Sequence, residues 1–495
     1  MTGAPLAVFR VDAAPEIGAG HAMRCLTLAN ALSESGWRCA FASSPGTTVT
    51  VQALGNSQHQ IHESEKVDQP DHLRQSWDGG CDLLIVDHYG LDAAFETPCR
   101  GWAKSILVID DLVDRRHDCD VLLDQTAGRV TTDYLGLFSP GCRLLMGTPY
   151  ALLRPEFTRM RGQTLPKERN TQLKRLFVSL GATDPYGVTQ RVIEGIAESG
   201  IEVQVDVVLG SSAPQLDAVH AQIEGLPLPA RLHIESNNIP ALMASADLAV
   251  GGGGTSAWER CCLGLPTILF VLAENQRYVA AALAATGAAL LVEESPPSVA
   301  KIAKALKDMA LDNIGRQSMA EAAATMCDGR GAARVMMELR ADIVDRDGTP
   351  VRLRPTCIED SDLILAWQSH PQTRKYSHNP AVPTPDEHFA WFADKLRNPR
   401  CLLNVILHDG TPAGLLRFEK CQRADDIVHE ISILVAPQLC NRGIGKAALA
   451  LGRLLLPEES LWAEVRDDNA ASAAMFGSAG MESAEVFVVL RELVK

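Results

Sequence analysis

The sequence predicts two successive α/β units with parallel sheets, followed by a smaller α+β domain. Three observations carry this. Short apolar, β-branched runs alternate with amphipathic helical patterns through most of the chain. Several of these runs end on an acidic or turn residue, as strands of a helix-flanked parallel sheet do. From Val351 the texture changes to a strand, two helices and then antiparallel-looking strands.

In the first unit, residues 1–155, strands are read in LAVFRVD, CAFAS, LLIVDHY, SILVIDD and DVLLDQT. A polar connection, YALLRPEFTRMRGQTLPKERNTQ, leads into the second unit, residues 156–340. There the strands are RLFVSLGATD, EVQVDVVLG, RLHIES, LAVGGGG, PTILFVL and AALLVEE, and one helical stretch, SVAKIAKALKDMALDNIGRQSMAEAAATM, closes the unit. The third domain, residues 350–495, holds a hairpin with an Asp-Gly turn in CLLNVILHDGTPAGLLRFEK. It continues with IVHEISILVAP, a glycine-led helix, LWAEVR, another helix and EVFVVLREL. A chain of 495 residues is long enough for such a set of separate cores.

Composition narrows the function class. The chain is 46% hydrophobic and 22% charged, as globular proteins are. A net charge of −15 argues against nucleic-acid or anionic-membrane partners. Thirteen cysteines without any C-x-x-C spacing read as reduced thiols, with neither a disulfide frame nor a metal site. The N-terminus lacks a signal-peptide pattern, and the longest near-apolar run, YVAAALAATGAALLV, has 15 residues, short of a bilayer span. The expectation is a cytoplasmic protein whose activity needs no metal and survives EDTA.

Two loops carry chemistry. Gly18 and Gly20 lie between a strand and a helix and lead into His21, so backbone amides and an imidazole share one helix start. A tight strand–helix turn would use the same residues, and a dinucleotide fingerprint would need a third glycine where Met23 stands. In the second loop Gly251, Gly252, Gly253 and Gly254 precede Thr255 and Ser256, either of which can be the N-cap. Four consecutive glycines are costly to order, so a nest of amides around phosphate oxygens is one reason to have them. Close helix–strand packing is the other. Glu259 falls one turn into that helix, within reach of a ribose hydroxyl, and Asn275 and Gln276 form a third loop at the same sheet edge. Asp12, Asp87 and Asp184 also follow strands, where they can bind a sugar or cap a turn.

Together, RVDAAPEIGAGHAMRCLTLANAL, LLIVDHYGLD, VIDDL, YALLRPEF, SLGATDPYGVT and GGGGTSAWERCCLGLPTILFVLAENQ resemble the GT-B-type nucleotide-sugar hydrolases of pseudaminic acid biosynthesis, over roughly residues 5–335. The resemblance implies a GT-B-like pair of Rossmann-type domains. It implies UDP-2,4-diacetamido-2,4,6-trideoxy-β-L-altropyranose as substrate, with the free sugar and UDP as products. It makes His21 the base and places Glu259, Asn275 and Arg154 on the nucleotide, with Gly18, Gly20, Gly252, Gly253, Gly254, Thr255 and Gln276 around the substrate. Most glycosidases need two carboxylates because an alkoxide must be protonated as it leaves. A nucleoside diphosphate departs as an anion, stabilised by amides, so one imidazole that deprotonates water is sufficient.

ISILVAPQLCNRGIGKAALALGRLL and LWAEVRDDNAASAAMFGSAGM resemble the GNAT acyl-CoA N-acetyltransferases. This implies acetyl-CoA as co-substrate, held by Arg442, Gly443, Ile444, Gly445, Lys446 and Asn469. Glu430 is the candidate base, with His429 on the other strand face. Two positions depart from the family pattern: Cys440 stands for an Arg or Gln of the cofactor loop, and Phe476 for a tyrosine acid. The two resemblances combine into a bifunctional enzyme. Its GNAT domain would acetylate the 4-amino UDP-sugar, and its first two domains would hydrolyse the product. The alternatives are a GT-B glycosyltransferase using a UDP-sugar, or a nucleotide-sugar binding protein with a degenerate GNAT domain.

Overall fold

A computed structural model describes residues 4–14, 17–165, 172–236, 238–377, 379–423, 426–466, 468–479 and 487–490. Contacts divide the chain into two compact units, Met1–Met336 and Met337–Lys495. The first unit holds two parallel sheets. Strands β1 (Leu6–Val11), β2 (Arg38–Ser43), β3 (Gln60–Glu63), β4 (Leu83–Asp87), β5 (Ile106–Ile109), β6 (Val121–Asp124) and β7 (Arg143–Met146) pair in the order β3-β2-β1-β4-β5-β6-β7. The inner strands β4, β5 and β6 are buried throughout, which is why they read as unbroken apolar runs. Edge strands β3 and β7, QIHE and RLLM, are only partly buried and do not stand out in the sequence.

The second sheet contains β8 (Arg175–Ser179), β9 (Gln204–Leu209), β10 (Ala230–Ile234), β11 (Leu248–Gly252), β12 (Thr267–Phe270) and β13 (Leu290–Val292), in the order β10-β9-β8-β11-β12-β13. Its core packs Val178, Val205, Val207 and Val250 against Val192, Ile196, Ile302 and Leu306 from the flanking helices. Both sheets reverse strand order once, between β1 and β4 and between β8 and β11. Open parallel sheets bind ligands in the crevice at the carboxyl ends of the strands beside such a reversal. This is the GT-B-like pair of Rossmann-type folds.

Two segments differ from the sequence reading. The polar connection contains a helix, Pro155–Thr164, with proline in its first turn and Phe157 buried. Its charge is misleading, because the buried Arg161 guanidinium donates to the carbonyls of Cys262, Ala324 and Cys327. The closing helical stretch is two helices, Val299–Leu311 and Asn313–Met326, interrupted at Asp312, whose carboxylate accepts from the Gly315 amide.

The second unit is one mixed sheet: β14 (Ile343–Val344), β15 (Pro350–Pro355), β16 (Cys401–His408), β17 (Thr411–Arg423), β18 (Asp426–Val435), β19 (Leu461–Arg466) and β20 (Phe487–Leu490), neighbours in sequence order. Pairing is antiparallel as far as β18, then parallel through β19 and β20. Between β15 and β16 stand three helices rather than two, because Pro371 starts a separate short one, Pro371–Arg374. The end of the AGM helix reading and the tail after Leu490 lie outside the described residues. Among the described residues no helix is long and apolar enough to cross a membrane.

Candidate active site

The chain leaves β1 through a tight return in which the Gly18 amide donates to the Ala14 carbonyl at 2.7 Å. Gly18 has φ +83°, a backbone state that favours glycine. The helix Gly20–Glu34 then starts, with His21 on its first turn. His21 Nδ1 lies 2.7 Å from Oδ1 of Asp87, the last residue of β4 and only 1% exposed. Arg24, one turn further on, donates from Nε and Nη2 to the two Asp87 oxygens at 2.6 Å each, and from Nη1 to Asp111 at 3.1 Å. Burial by itself would raise the Asp87 pKa, but the charges of Arg24 and His21 outweigh it and hold this carboxyl well below the usual range. Arg24 Nη2 also lies 3.0 Å from His21 Nδ1, but an ionised Asp87 only accepts, so the shorter 2.7 Å contact assigns the Nδ1 proton to His21 and leaves Nε2 free for chemistry. The Tyr89 ring meets the imidazole edge-on, with centroids 4.7 Å apart.

Asp87 thus buttresses the imidazole rather than capping a turn. Asp184 does cap, accepting from the amides of Val188 and Thr189 at 3.0 and 2.8 Å. Asp12 accepts two Arg10 bonds at 2.7 Å and the Ser44 amide. Burial pushes the Asp12 pKa up, but His88 and Arg10 together bring it well below the carboxylate range.

The glycine run is partly strand and partly loop, since Gly251 and Gly252 belong to β11 and pair with β12. None of the four glycines has a positive φ, so the expected nest of alternating backbone hands is not what they form. Two of them instead remove a Cβ that would collide, with the Arg260 guanidinium at Gly251 and the Leu272 side chain at Gly252, while at Gly253 a Cβ would fit tightly 3.1 Å from the Gln276 carbonyl. Thr255 occupies the N-cap position of the helix Ser256–Cys262 without a capping side-chain bond. The amides of Gly254, Thr255 and Ser256 donate to no protein acceptor among the described residues. Gln276 is committed to holding the loop, its Oε1 accepting from the amides of Gly253 and Leu272 at 3.1 Å each. Glu259 pairs with Arg154 at 3.6 Å; its pKa is raised by burial despite that guanidinium.

The carboxyl edges of the two sheets meet. Gly20 needs no side chain because Thr255 Oγ1 of the other half occupies that space. Asn275 Nδ2 donates to the Tyr89 hydroxyl at 2.9 Å, and Gln52 Nε2 to Ser211 Oγ at 3.2 Å. The contacts bring His21, Gly20, Thr255 and Asn275 into one cleft. The sequence reading gave no role to Arg24, which closes the pattern G-x-G-H-x-x-R, or to Tyr89, whose only signal was its place in DHYG. Among the described residues, no group of three or more His, Cys, Asp or Glu side chains is arranged to hold a metal.

In the second unit, Gly443 (φ +94°) precedes the helix Ile444–Leu455. The amides of Arg442, Gly443, Ile444 and Gly445 have no protein acceptor among the described residues, while the Arg442 carbonyl accepts from the Arg346 amide. Lys446 and Cys440 are exposed. Asn469 uses its side-chain oxygen to cap the next helix at the Ser472 amide, and Phe476 is buried. Glu430 lies between Arg423 at 3.6 Å and Arg417 at 4.0 Å, on a strand whose His429 is buried on the other face. Strand β18 pairs with β19 only from His429 to Ile431 among the described residues, with Glu430 opposite Trp462.

Residues 351–482 match the acetyltransferase (GNAT) domain family, and residues 189–335 match the glycosyltransferase family 28 C-terminal domain. A UDP-2,4-diacetamido-2,4,6-trideoxy-β-L-altropyranose hydrolase of Campylobacter jejuni is 26% identical over 57% of this chain and 96% of its own length. The chain resembles a UDP-sugar hydrolase fused to a GNAT domain. The spore coat polysaccharide biosynthesis protein SpsG of Bacillus subtilis is 26% identical over 66% of the chain and 94% of its own length. An uncharacterised protein of Methanocaldococcus jannaschii is 21% identical over 95% of both chains. Among solved structures, MurG of Acinetobacter baumannii covers 68% of this chain and 98% of its own, with 13% identity and a TM-score of 0.48.

Proposed function

We propose that the chain is a bifunctional nucleotide-sugar enzyme. Residues 1–155 and 156–340 together hydrolyse UDP-2,4-diacetamido-2,4,6-trideoxy-β-L-altropyranose to the free sugar and UDP. Residues 350–495 transfer acetyl from acetyl-CoA to the 4-amino group of the preceding UDP-sugar. The observation that carries the hydrolase reading is the His21–Asp87 pair at one strand-order reversal, with free amides of the Gly251–Ser256 loop at the other.

In this reading His21 Nε2 removes a proton from water as the water oxygen bonds to the anomeric carbon. The bond from that carbon to the UDP oxygen breaks, its electron pair leaves with UDP, and the configuration inverts. Asp87 stabilises the imidazolium without taking its proton, and Arg24 keeps Asp87 ionised. Glu259 and Asn275 hold the nucleotide, with Arg154 beside them, and the amides of Gly254, Thr255 and Ser256 receive the leaving charge. In the GNAT domain Glu430 accepts the ammonium proton, directly or through water, and the amine attacks the thioester. The amides from Arg442 to Gly445 hold the coenzyme pyrophosphate, with Lys446 and Asn469 beside it. Water protonates the departing thiolate, because Phe476 has no hydroxyl.

The test is UDP release from the diacetamido UDP-sugar by wild type and by His21→Ala. The expected result is rapid release by wild type and about a thousandfold slower release by a variant that still binds UDP. Equal rates would remove His21 from the mechanism. A second reading, sugar transfer to an acceptor hydroxyl, draws on the match to a glycosyltransferase domain and uses the same base. UDP release that depends on an added acceptor sugar selects it.

A further inference from the structure

Arg260 lies behind the glycine run, 1% exposed, on the helix Ser256–Cys262. Its Nη2 donates to the Gly252 carbonyl at 2.5 Å and its Nη1 to Ser256 Oγ at 3.1 Å, so the guanidinium bridges both ends of the loop. Among the described residues its Nε has no partner and no carboxylate forms an ion pair with it; the adjacent Glu259 acts on it only through its charge. Burial lowers its pKa to about 10, so it is a cation at neutral pH.

Other buried arginines of this unit are compensated. Arg10 has Asp12 and Asp68, Arg24 has Asp87 and Asp111, and Arg334 has Asp328. Arg161 and Arg316 each collect two or more backbone carbonyls, including those at helix carboxyl ends, where partial negative charge accumulates. Arg260 has one carbonyl and one hydroxyl. A buried cation without an ion-paired carboxylate is destabilising, and the sequence has made room for it: a Cβ at Gly251 would stand 2.5 Å from Nη1. On the same loop, the amides of Gly254, Thr255 and Ser256 donate to no protein acceptor among the described residues. A hidden positive charge and free donors on one loop point to an anion that arrives with the ligand.

We propose that Arg260 is the buried counter-charge for the diphosphate of a bound nucleotide. It is a positioning residue that acts through the Gly251–Ser256 loop without touching the ligand. The proposal rests on the nucleotide-sugar reading above. Its competitor is a purely mechanical role, in which the guanidinium staples the loop and charge is irrelevant.

The two roles separate by calorimetric titration of the full chain with UDP and with uridine. Arg260→Gln keeps an amide donor and removes the charge, while Arg260→Lys keeps the charge and loses the fork. The expected result is UDP affinity lowered about tenfold or more in Arg260→Gln, uridine affinity changed less than about twofold, and most UDP affinity kept in Arg260→Lys. A parallel fall of UDP and uridine affinity, or equal UDP affinities in the two variants, overturns the proposal and leaves the nucleotide reading intact. Binding of neither ligand by wild type removes both. Should Arg260→Gln not fold, the lysine variant decides alone: it keeps the wild-type preference for UDP over uridine, and a folded lysine variant without that preference refutes the charge role.

Discussion

Asp87 and Glu259 stand on opposite walls of one cleft, and their surroundings treat charge in opposite ways. Asp87 is saturated by Arg24, His21 and the Cys25 thiol, and its carboxyl is held far into the ionised state. Glu259 has one loosely placed guanidinium, is pushed toward neutrality by burial, and adjoins Arg260, with which it interacts through charge but forms no ion pair among the described residues. The first wall is complete without a ligand, as a base that must be correctly protonated before substrate arrives requires. The second wall is left electrostatically unfinished. A ligand that brings a diphosphate and a ribose hydroxyl completes it, and this division matches the roles proposed for the two halves.

The largest test of this contrast after His21→Ala is Asp87→Asn. With the proton no longer fixed on His21 Nδ1, hydrolysis slows about a hundredfold while UDP affinity stays within about twofold. Stability responds in a signed way. The Asp87 pKa is lowered on folding, so its contribution is present above the unfolded value near 3.8 and disappears as pH falls toward the folded one. Asp87→Asn, which leaves the buried Arg24 only the 3.1 Å pair with Asp111, is therefore less stable by roughly 3 kcal/mol at pH 7, and the gap closes below about pH 4. Chemical denaturation at several pH values checks this; a gap that does not change with pH would refute it.

Glu259→Gln moves the other way. The Glu259 pKa is raised on folding, so its contribution is favourable below the unfolded value of 4.5 and is lost as pH rises through the folded value. The glutamine variant should melt close to wild type at pH 4.5 and above it at pH 8, yet bind UDP about tenfold more weakly for want of a charge-assisted hydrogen bond to ribose. A variant less stable than wild type at pH 8 would show that Arg154 compensates Glu259 fully. The smallest effect belongs to the seam between the walls. Tyr89→Phe removes the acceptor of the Asn275 amide and should raise KM for the UDP-sugar about threefold with little change in kcat. A large fall in kcat instead would make Tyr89 part of the chemistry.

Much of the architecture was legible because its signals are local. Inner strands such as LLIVD and ILVI are buried on both faces and are therefore apolar up to the acid that ends the first of them, while QIHE at the sheet edge is not and escaped notice. The helix Pro155–Thr164 was hidden by charge, because Arg161 finds carbonyls that come from over a hundred residues away in sequence. In the candidate site, His21, Glu259 and Asn275 could be singled out from glycine placement and strand ends. Their partners could not. The glycine run left a ligand cradle and close packing both open, and only the structure shows that Gly251 and Gly252 leave room for Arg260 and Leu272 behind them.

The sequence by itself determined where strands and helices form, where the chain turns beside a helix start, and which unit resembles which chemistry. Apolar periodicity, glycine position and local capping act over a few residues, and a linear reading captures them. Only the tertiary structure decided which charges are paired. His21 and Asp87 are 66 residues apart and meet because β1 and β4 are neighbours in the sheet. Arg260 forms no ion pair among the described residues, although Glu259 stands next to it in the sequence. Charge pairing depends on which strands become neighbours, and that is a property of the assembled core rather than of any segment within it.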